Sequence, residues 1–172
     1  MEKIQRFANA VSSMIAVNCS EMKISSNPVE TLVAFSIGSG IGMTIYDLVG
    51  GVGGVLNFIL PDSTRANGTS PAKAPFMFAD TGISAFLKAL FDQGAKTENL
   101  KVVIAGGAHV IDQTGIFNIG QKNLDALKTN LGDHNIKIHH EAIGGSKSRT
   151  ISLEIGSGKS IIKTLGEGEQ KV

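Results

Sequence analysis

Few side chains in these 172 residues are of types that do chemistry. Cys19 is the sole cysteine, and the histidines are His109, His134, His139 and His140. A thiol attacks well when a base takes its proton, so Cys19 with a distant histidine would make a nucleophile pair. A lone cysteine among apolar neighbours is more often a small buried hydrophobe, and that is the reading favoured for Cys19. His139 and His140 are adjacent on a predicted strand and point to opposite faces. With no second cysteine or carboxylate at ligand spacing, no metal site and no cofactor are expected. His140-Glu141 lacks the second histidine that a zinc-protease helix needs. Gly156-Ser157-Gly158-Lys159-Ser160 ends like a phosphate-binding loop, but Leu153 stands where that loop needs its first glycine. The glycines at Gly38, Gly40 and Gly42 and from Gly50 to Gly54 do not make a dinucleotide fingerprint, since no helix follows them. They read as turns.

The elements that must position these residues follow from periodicity. Thr31 to Phe35, Ile41 to Tyr46 and Val55 to Leu60 are strand-like apolar runs separated by glycine clusters. A polar loop over 62–75 precedes a helix that Asp80 is expected to cap, with Ile83, Phe86, Leu87, Leu90 and Phe91 on one face. Lys101 to Ile104 predicts a strand. Asn118 opens a second helix with Leu124, Leu127 and Leu131 aligned, Ile136 to Ile143 predicts another strand, and residues 150–165 form a hairpin across Gly156 to Lys159. Mixed order without strict alternation indicates an α+β fold. At the N-terminus, Ile4, Phe7, Val11, Met14 and Ile15 recur at helical spacing. The expected organisation is an amphipathic helical extension over 1–17, one domain over 18–166 and a flexible tail over 167–172.

Composition narrows the function classes. Hydrophobic residues make up 42% and charged residues 18%, which suits a globular domain with a real core. Sixteen basic and fifteen acidic side chains leave a net charge of +1, so charge alone draws the chain to neither nucleic acid nor anionic membrane. No apolar run is long enough to span a membrane. Glu2, Lys3 and Arg6 are followed by Asn9, Ser12 and Ser13, which is not a signal peptide's apolar core. A cytoplasmic location is expected, where the sequons at Asn18 and Asn67 carry no meaning.

Several short motifs then stand in a recognisable order. They are Ile37-Gly38-Ser39-Gly40, Tyr46-Asp47, Asn57-Phe58-Ile59-Leu60-Pro61-Asp62-Ser63 and Phe78-Ala79-Asp80-Thr81. Gly94-Ala95-Lys96 with Glu98-Asn99-Leu100, Ile104-Ala105-Gly106-Gly107-Ala108, Asn118-Ile119-Gly120 with Asn123, and Gly144-Gly145 with Arg149 complete the series. In combination, from about Val29 to Gly166, they resemble the CheD family. The resemblance implies mixed sheets packed together with helices outside, and deamidation of glutamine side chains on bacterial chemoreceptors. It also implies a cysteine nucleophile, a histidine base, a threonine that orients the histidine, and regulation by CheC, a phosphatase.

The departures from the family's pattern fall on that chemistry. Gly40 stands at the cysteine position, Asn57 at the histidine position and Ala34 at the threonine position. The separation 57 − 40 = 17 equals the family's gap, so no insertion hides a shifted pair. Ala142 replaces an acidic residue the family often carries. Glycine cannot attack and asparagine does not titrate. The expectation is therefore a pseudoenzyme with no catalytic residues, binding a chemoreceptor segment, a CheC-like regulator or both through Gly38, Ser39, Gly40 and Asn57. Two alternatives stand beside it: an active deamidase using Cys19 or Ser39 as nucleophile, and a scaffold unrelated to chemotaxis. Losing two larger side chains at positions 40 and 57 is expected to leave a void unless Met43 or Phe58 fills it.

Overall fold

Alternation along Ile41–Asp47 sets the layering. This strand, β4, is buried along its whole length in the computed structural model, which describes residues 13–65, 68, 70–110 and 116–172. Ile41, Met43 and Ile45 point to one core, while Thr44 and Tyr46 point to another. A strand with two apolar faces must be covered on both.

One cover is a second sheet. Strands β1 (Ser13–Ala16), β3 (Glu30–Ile37), β8 (Arg149–Glu154), β9 (Lys159–Thr164) and β10 (Glu169–Lys171) form a sheet in the order β1-β3-β8-β9-β10. The sheet containing β4 runs β2 (Glu21–Ser25), β5 (Gly53–Phe58), β4, β6 (Leu100–Gly106), β7 (His140–Ile143). The β1–β3 and β6–β7 pairs are parallel and the other pairs antiparallel. Between the sheets lie Leu32, Ala34, Val55, Val103, Ile151, Leu153 and Ile162. The Thr44 and Ser160 hydroxyls meet there at 2.7 Å, each satisfying the other in a layer that excludes water.

The other cover is helical. Helix α1 (Ala79–Asp92) buries Ile83, Phe86, Leu87 and Leu90, and helix α2 (Ile119–Asp133) buries Leu124, Leu127 and Leu131, against Ile41, Met43, Leu56 and Ile104. Each such side chain contributes about 1.5–3 kcal/mol through burial. The α+β architecture, with packed mixed sheets and helices outside, is the one expected.

Several local expectations need correction. Ser13–Ala16, expected to be helical, is a strand paired with Glu30–Val33, because the β-branched and apolar edge of β3 offers it a ladder. Residues 1–12 of the expected extension lie outside the described residues. The C-terminal residues expected to fray are paired: Glu169–Lys171 align with Ile161–Lys163, and Val172 exchanges backbone hydrogen bonds with Ser160 at 2.8 and 3.0 Å. Asp80 sits in the first turn of α1 and is not its cap. Its Oδ2 accepts from the Ser63 N–H at 3.0 Å and hydroxyl at 2.8 Å, tying the preceding loop to the helix. No helix among the described residues is long and apolar enough to cross a membrane.

Asp47 closes the far end of β4. Burial acts to raise its carboxyl, but the N–H groups of Gly50, Lys96 and Val49 and the Asn99 side chain outweigh it and hold the group below the ordinary aspartate range. Its Oδ1 accepts from Val49 at 2.8 Å and Gly50 at 2.6 Å, and its Oδ2 from Lys96 at 2.8 Å. A depressed folded value means that the unfolded chain takes up the proton first as pH falls. The stabilisation is full above about pH 4 and is lost as pH drops through the folded value. Asp47→Ala should cost roughly 2–3 kcal/mol at neutral pH and flatten the acid limb, as read from urea denaturation at several pH values.

Candidate functional site

A bulge in β3 begins the site. The β3–β8 register shifts between Ala34 and Ile37, Ser36 takes a φ of 52°, and the Ser36 N–H donates to Thr150 Oγ1 at 3.3 Å. The extra residue turns Phe35 outward, where it is 52% exposed. The chain then bends through Gly38, Ser39 and Gly40 into β4.

The β1–β2 turn comes from the other side. Asn18 donates to Glu21 Oε2 from its backbone at 3.0 Å and its side chain at 3.1 Å. Those two bonds, backbone first, hold the Glu21 carboxyl below its ordinary range. Ser20 adopts a left-handed φ of 61°, and its N–H donates to the Asn57 carbonyl at 2.8 Å. The Asn57 side chain reaches back to the Val17 carbonyl at 3.4 Å. Asn57 thus stitches this turn to the end of β5, and Cys19 rides on it.

The result is a cavity of about 200 Å³ whose lining includes Val17, Cys19, Phe35, Gly38, Gly40 and Asn57. The reading of Cys19 as a buried hydrophobe needs correction: its thiol is exposed and stands beside the two positions that the family resemblance gives to nucleophile and base. Four residues of turn, pinned by Asn57, carry it there. Ala34 is fully buried between the sheets and Thr44 is engaged with Ser160, so neither lines this cavity.

A second cavity, of about 580 Å³, shares Gly38 and Gly40 with the first and adds Ser39, His109, Val110 and Phe117. A serine and an imidazole therefore border one space. His139 lies elsewhere, its Nδ1 accepting from the Val102 N–H at 3.1 Å. Among the described residues, no three His, Cys, Asp or Glu side chains stand close enough to hold a metal ion.

Backbone contacts fix the loop between the cavities. The Gly38 carbonyl accepts from the Ala108 N–H at 2.9 Å and the Gly40 carbonyl from the Gly107 N–H at 2.8 Å. Asn123 of α2, fully buried, donates through Nδ2 to the Ser39 carbonyl at 2.9 Å and the Ile59 carbonyl at 3.0 Å. In the sequence, Asn123 enters only through the family resemblance. An asparagine in register with Leu127 and Leu131 on an apolar stripe was the signal of a buried polar role.

The expected void lies beside Gly40 and Asn57, which both line the smaller cavity, but not along the direction a Gly40 side chain would take. A Cβ there would lie 2.6 Å from the Phe58 carbonyl oxygen and 3.2 Å from Ile59 Cγ2. Neither Met43 nor the Phe58 ring closes that direction; the Phe58 carbonyl at the end of β5 and Ile59 do. Gly40→Cys should therefore destabilise the fold by about 1–3 kcal/mol, because a carbonyl must move aside. Thermal denaturation of the variant checks this, and an unchanged midpoint would show that the strand end yields freely.

Comparison with known proteins adds the family. The family model for CheD, described as CheD chemotactic sensory transduction, matches residues 59–164. A probable chemoreceptor glutamine deamidase CheD from Solibacter usitatus is 37% identical over 161 residues, covering 92% of this chain and 93% of that protein. One from Syntrophus aciditrophicus is 39% identical over 153 residues, covering 88% and 94%. Another from Symbiobacterium thermophilum is 34% identical over 160 residues, covering 91% and 96%. These relatives carry an enzyme's name, and that overturns the expectation that this chain is not an enzyme. The expectation rested on Ala34, Gly40 and Asn57 read one by one, whereas folding brings a thiol from a different segment to the same cavity. Matched along most of its length in sequence, and carrying the sheet-and-helix architecture that the resemblance implied, the chain belongs to the CheD family.

Proposed function

We propose that this chain is a chemoreceptor glutamine deamidase whose nucleophile is Cys19. The observation that carries the reading is the shared cavity: the sole thiol, exposed to solvent, lines the same 200 Å³ as Gly40 and Asn57. The Cys19 thiolate attacks the amide carbon of a receptor glutamine, and the carbonyl electrons move to oxygen. The C–N bond breaks and ammonia leaves, taking its third proton from water. Water then cleaves the thioester, leaving glutamate and the free thiol.

Each neighbouring group has a part in this reading. Gly38, Ser39 and Gly40 supply backbone N–H groups for the amide carbonyl, whose negative charge grows at the tetrahedral stage. Asn57 does not titrate; it holds the Cys19 turn and lines the cavity. No histidine lines this cavity among the described residues, so the thiol proton leaves to solvent.

A second nucleophile is favoured by one observation, the sharing of the larger cavity by Ser39 and His109. The partner in either case is a receptor segment presenting a glutamine, and a CheC-like regulator would compete for the same face. The protein acts in the cytoplasm in this reading. The test is mass spectrometry of a chemoreceptor fragment incubated with the full chain, with one of the named relatives as positive control. Conversion of –CONH2 to –COOH at defined glutamines supports the reading. An unconverted fragment beside an active control overturns it.

A further inference from the structure

We propose that Asn123 is the positioning residue of this site, aiming the Gly40 N–H at the substrate carbonyl; the inference rests on the deamidase reading for its chemistry. Asn123 is fully buried, and both its donor contacts go to carbonyls of separate segments, Ser39 before β4 and Ile59 after β5. Those two segments bound both cavities. A single amide thus spans the two walls and fixes their separation.

The bond to Ser39 also sets a direction. In a trans peptide the C=O and the following N–H point opposite ways. Capturing the Ser39 carbonyl on the α2 side turns the Gly40 N–H away from α2. The neighbouring Gly38 and Gly40 carbonyls are held by the Ala108 and Gly107 N–H groups, so the loop has no freedom to flip this unit. Gly40 lines both cavities and carries no side chain to cover the N–H. Such a donor is worth most when charge develops on the bound carbonyl oxygen.

The third feature is a cost. Asn123 Oδ1 is buried, and no described residue donates to it. A leucine on the apolar stripe of α2 would bury more carbon and remove the unpaired Oδ1, but it would take the Asn123 donor away from the Ser39 and Ile59 carbonyls, so filling the stripe does not by itself account for asparagine here. The amide's two donors, and the geometry they impose on Ser39 and Ile59, do.

The test uses the full chain and a glutamine-containing chemoreceptor fragment. On titration, the Gly40 amide signal in ¹⁵N-¹H spectra should shift in the wild type and stay put in Asn123→Ala, while the Val49 and Gly50 signals at the far end of β4 remain unchanged in both. In steady state Asn123→Ala should lower kcat by tenfold or more, up to about 10²-fold, with KM within about twofold, the pattern of an interaction made in the transition state. Asn123→Ser, which retains one donor, should fall between, and it serves if the alanine variant does not fold. A converted fragment with an unmoved Gly40 signal overturns the inference and leaves the deamidase reading standing. A Gly40 shift without conversion overturns the deamidase reading and supports Asn123 as the residue that aims a binding donor. Equal responses in wild type and folded Asn123 variants overturn the inference outright.

Discussion

Cys19→Ala should abolish conversion of receptor glutamine to glutamate, lowering the rate by about 10³-fold or more. Removing a covalent nucleophile leaves only binding and carbonyl stabilisation, and a hydroxide ion attacks an amide far more slowly than a positioned thiolate. The substitution touches little else. Cys19 is exposed, its nearest polar contact is Ser20 Oγ at 3.9 Å, and the turn is held by Asn18, Glu21 and Asn57. The variant should therefore fold like the wild type, and a lost activity reads as lost chemistry. The measurement is the mass-spectrometric assay with Ser39→Ala run in parallel. Loss in Cys19→Ala with Ser39→Ala near wild type assigns the thiol. The opposite pattern assigns Ser39 and moves the chemistry to the cavity that His109 borders.

Gly120→Ala should be among the most damaging single-methyl changes in the described residues, costing about 3 kcal/mol or more. A Cβ at Gly120 would lie 2.3 Å from the Gly107 carbonyl oxygen, 2.7 Å from its carbon and 3.1 Å from its Cα. All three atoms are backbone, so no side chain can swing aside. Helix α2 would have to withdraw from the end of β6. Asn123, one turn further along, would then lose its reach to Ser39 and Ile59 at 2.9 and 3.0 Å. Stability and site geometry should fall together. The same substitution at Gly132, near the other end of α2, should do the opposite. A Cβ there meets nothing within 4 Å and the residue is exposed, so alanine gains about 0.5–1 kcal/mol of helix propensity. Urea denaturation of both variants decides the point: opposite signs on one helix attribute the effect to the contact with Gly107, and equal signs reject it.

Much of the architecture was legible because it depends on local rules. The stripe Ile83, Phe86, Leu87, Leu90 defines α1 by its period of 3.6, and the turn Gly156 to Lys159 joins β8 and β9 in the expected hairpin. The apolar runs around β3, β4 and β5 fell within a few residues of their observed limits. The chain's edges were not legible. β1, β2 and β10 are three to five residues long and contain no fully buried residue, and each exists because a neighbouring strand supplies its ladder. Strand β7 is shorter than the run Ile136 to Ile143, since only His140–Ile143 finds β6 alongside. Periodicity carries no information about such partners.

By itself, then, the amino-acid sequence determined the α+β class, the core of each helix and the likeness to the CheD family, because composition, hydrophobic period and short motifs are properties of contiguous residues. It also determined that positions 34, 40 and 57 carry alanine, glycine and asparagine. Only the tertiary structure decided what surrounds them. The Phe58 carbonyl closes on Gly40, Asn57 holds the turn that brings Cys19 to the cavity, and Asn123, 84 residues from Ser39 and 64 from Ile59 along the chain, bonds to both. Those contacts depend on how two sheets and a helix stack, which is settled by burial summed over the whole core and not by any stretch of sequence near the site.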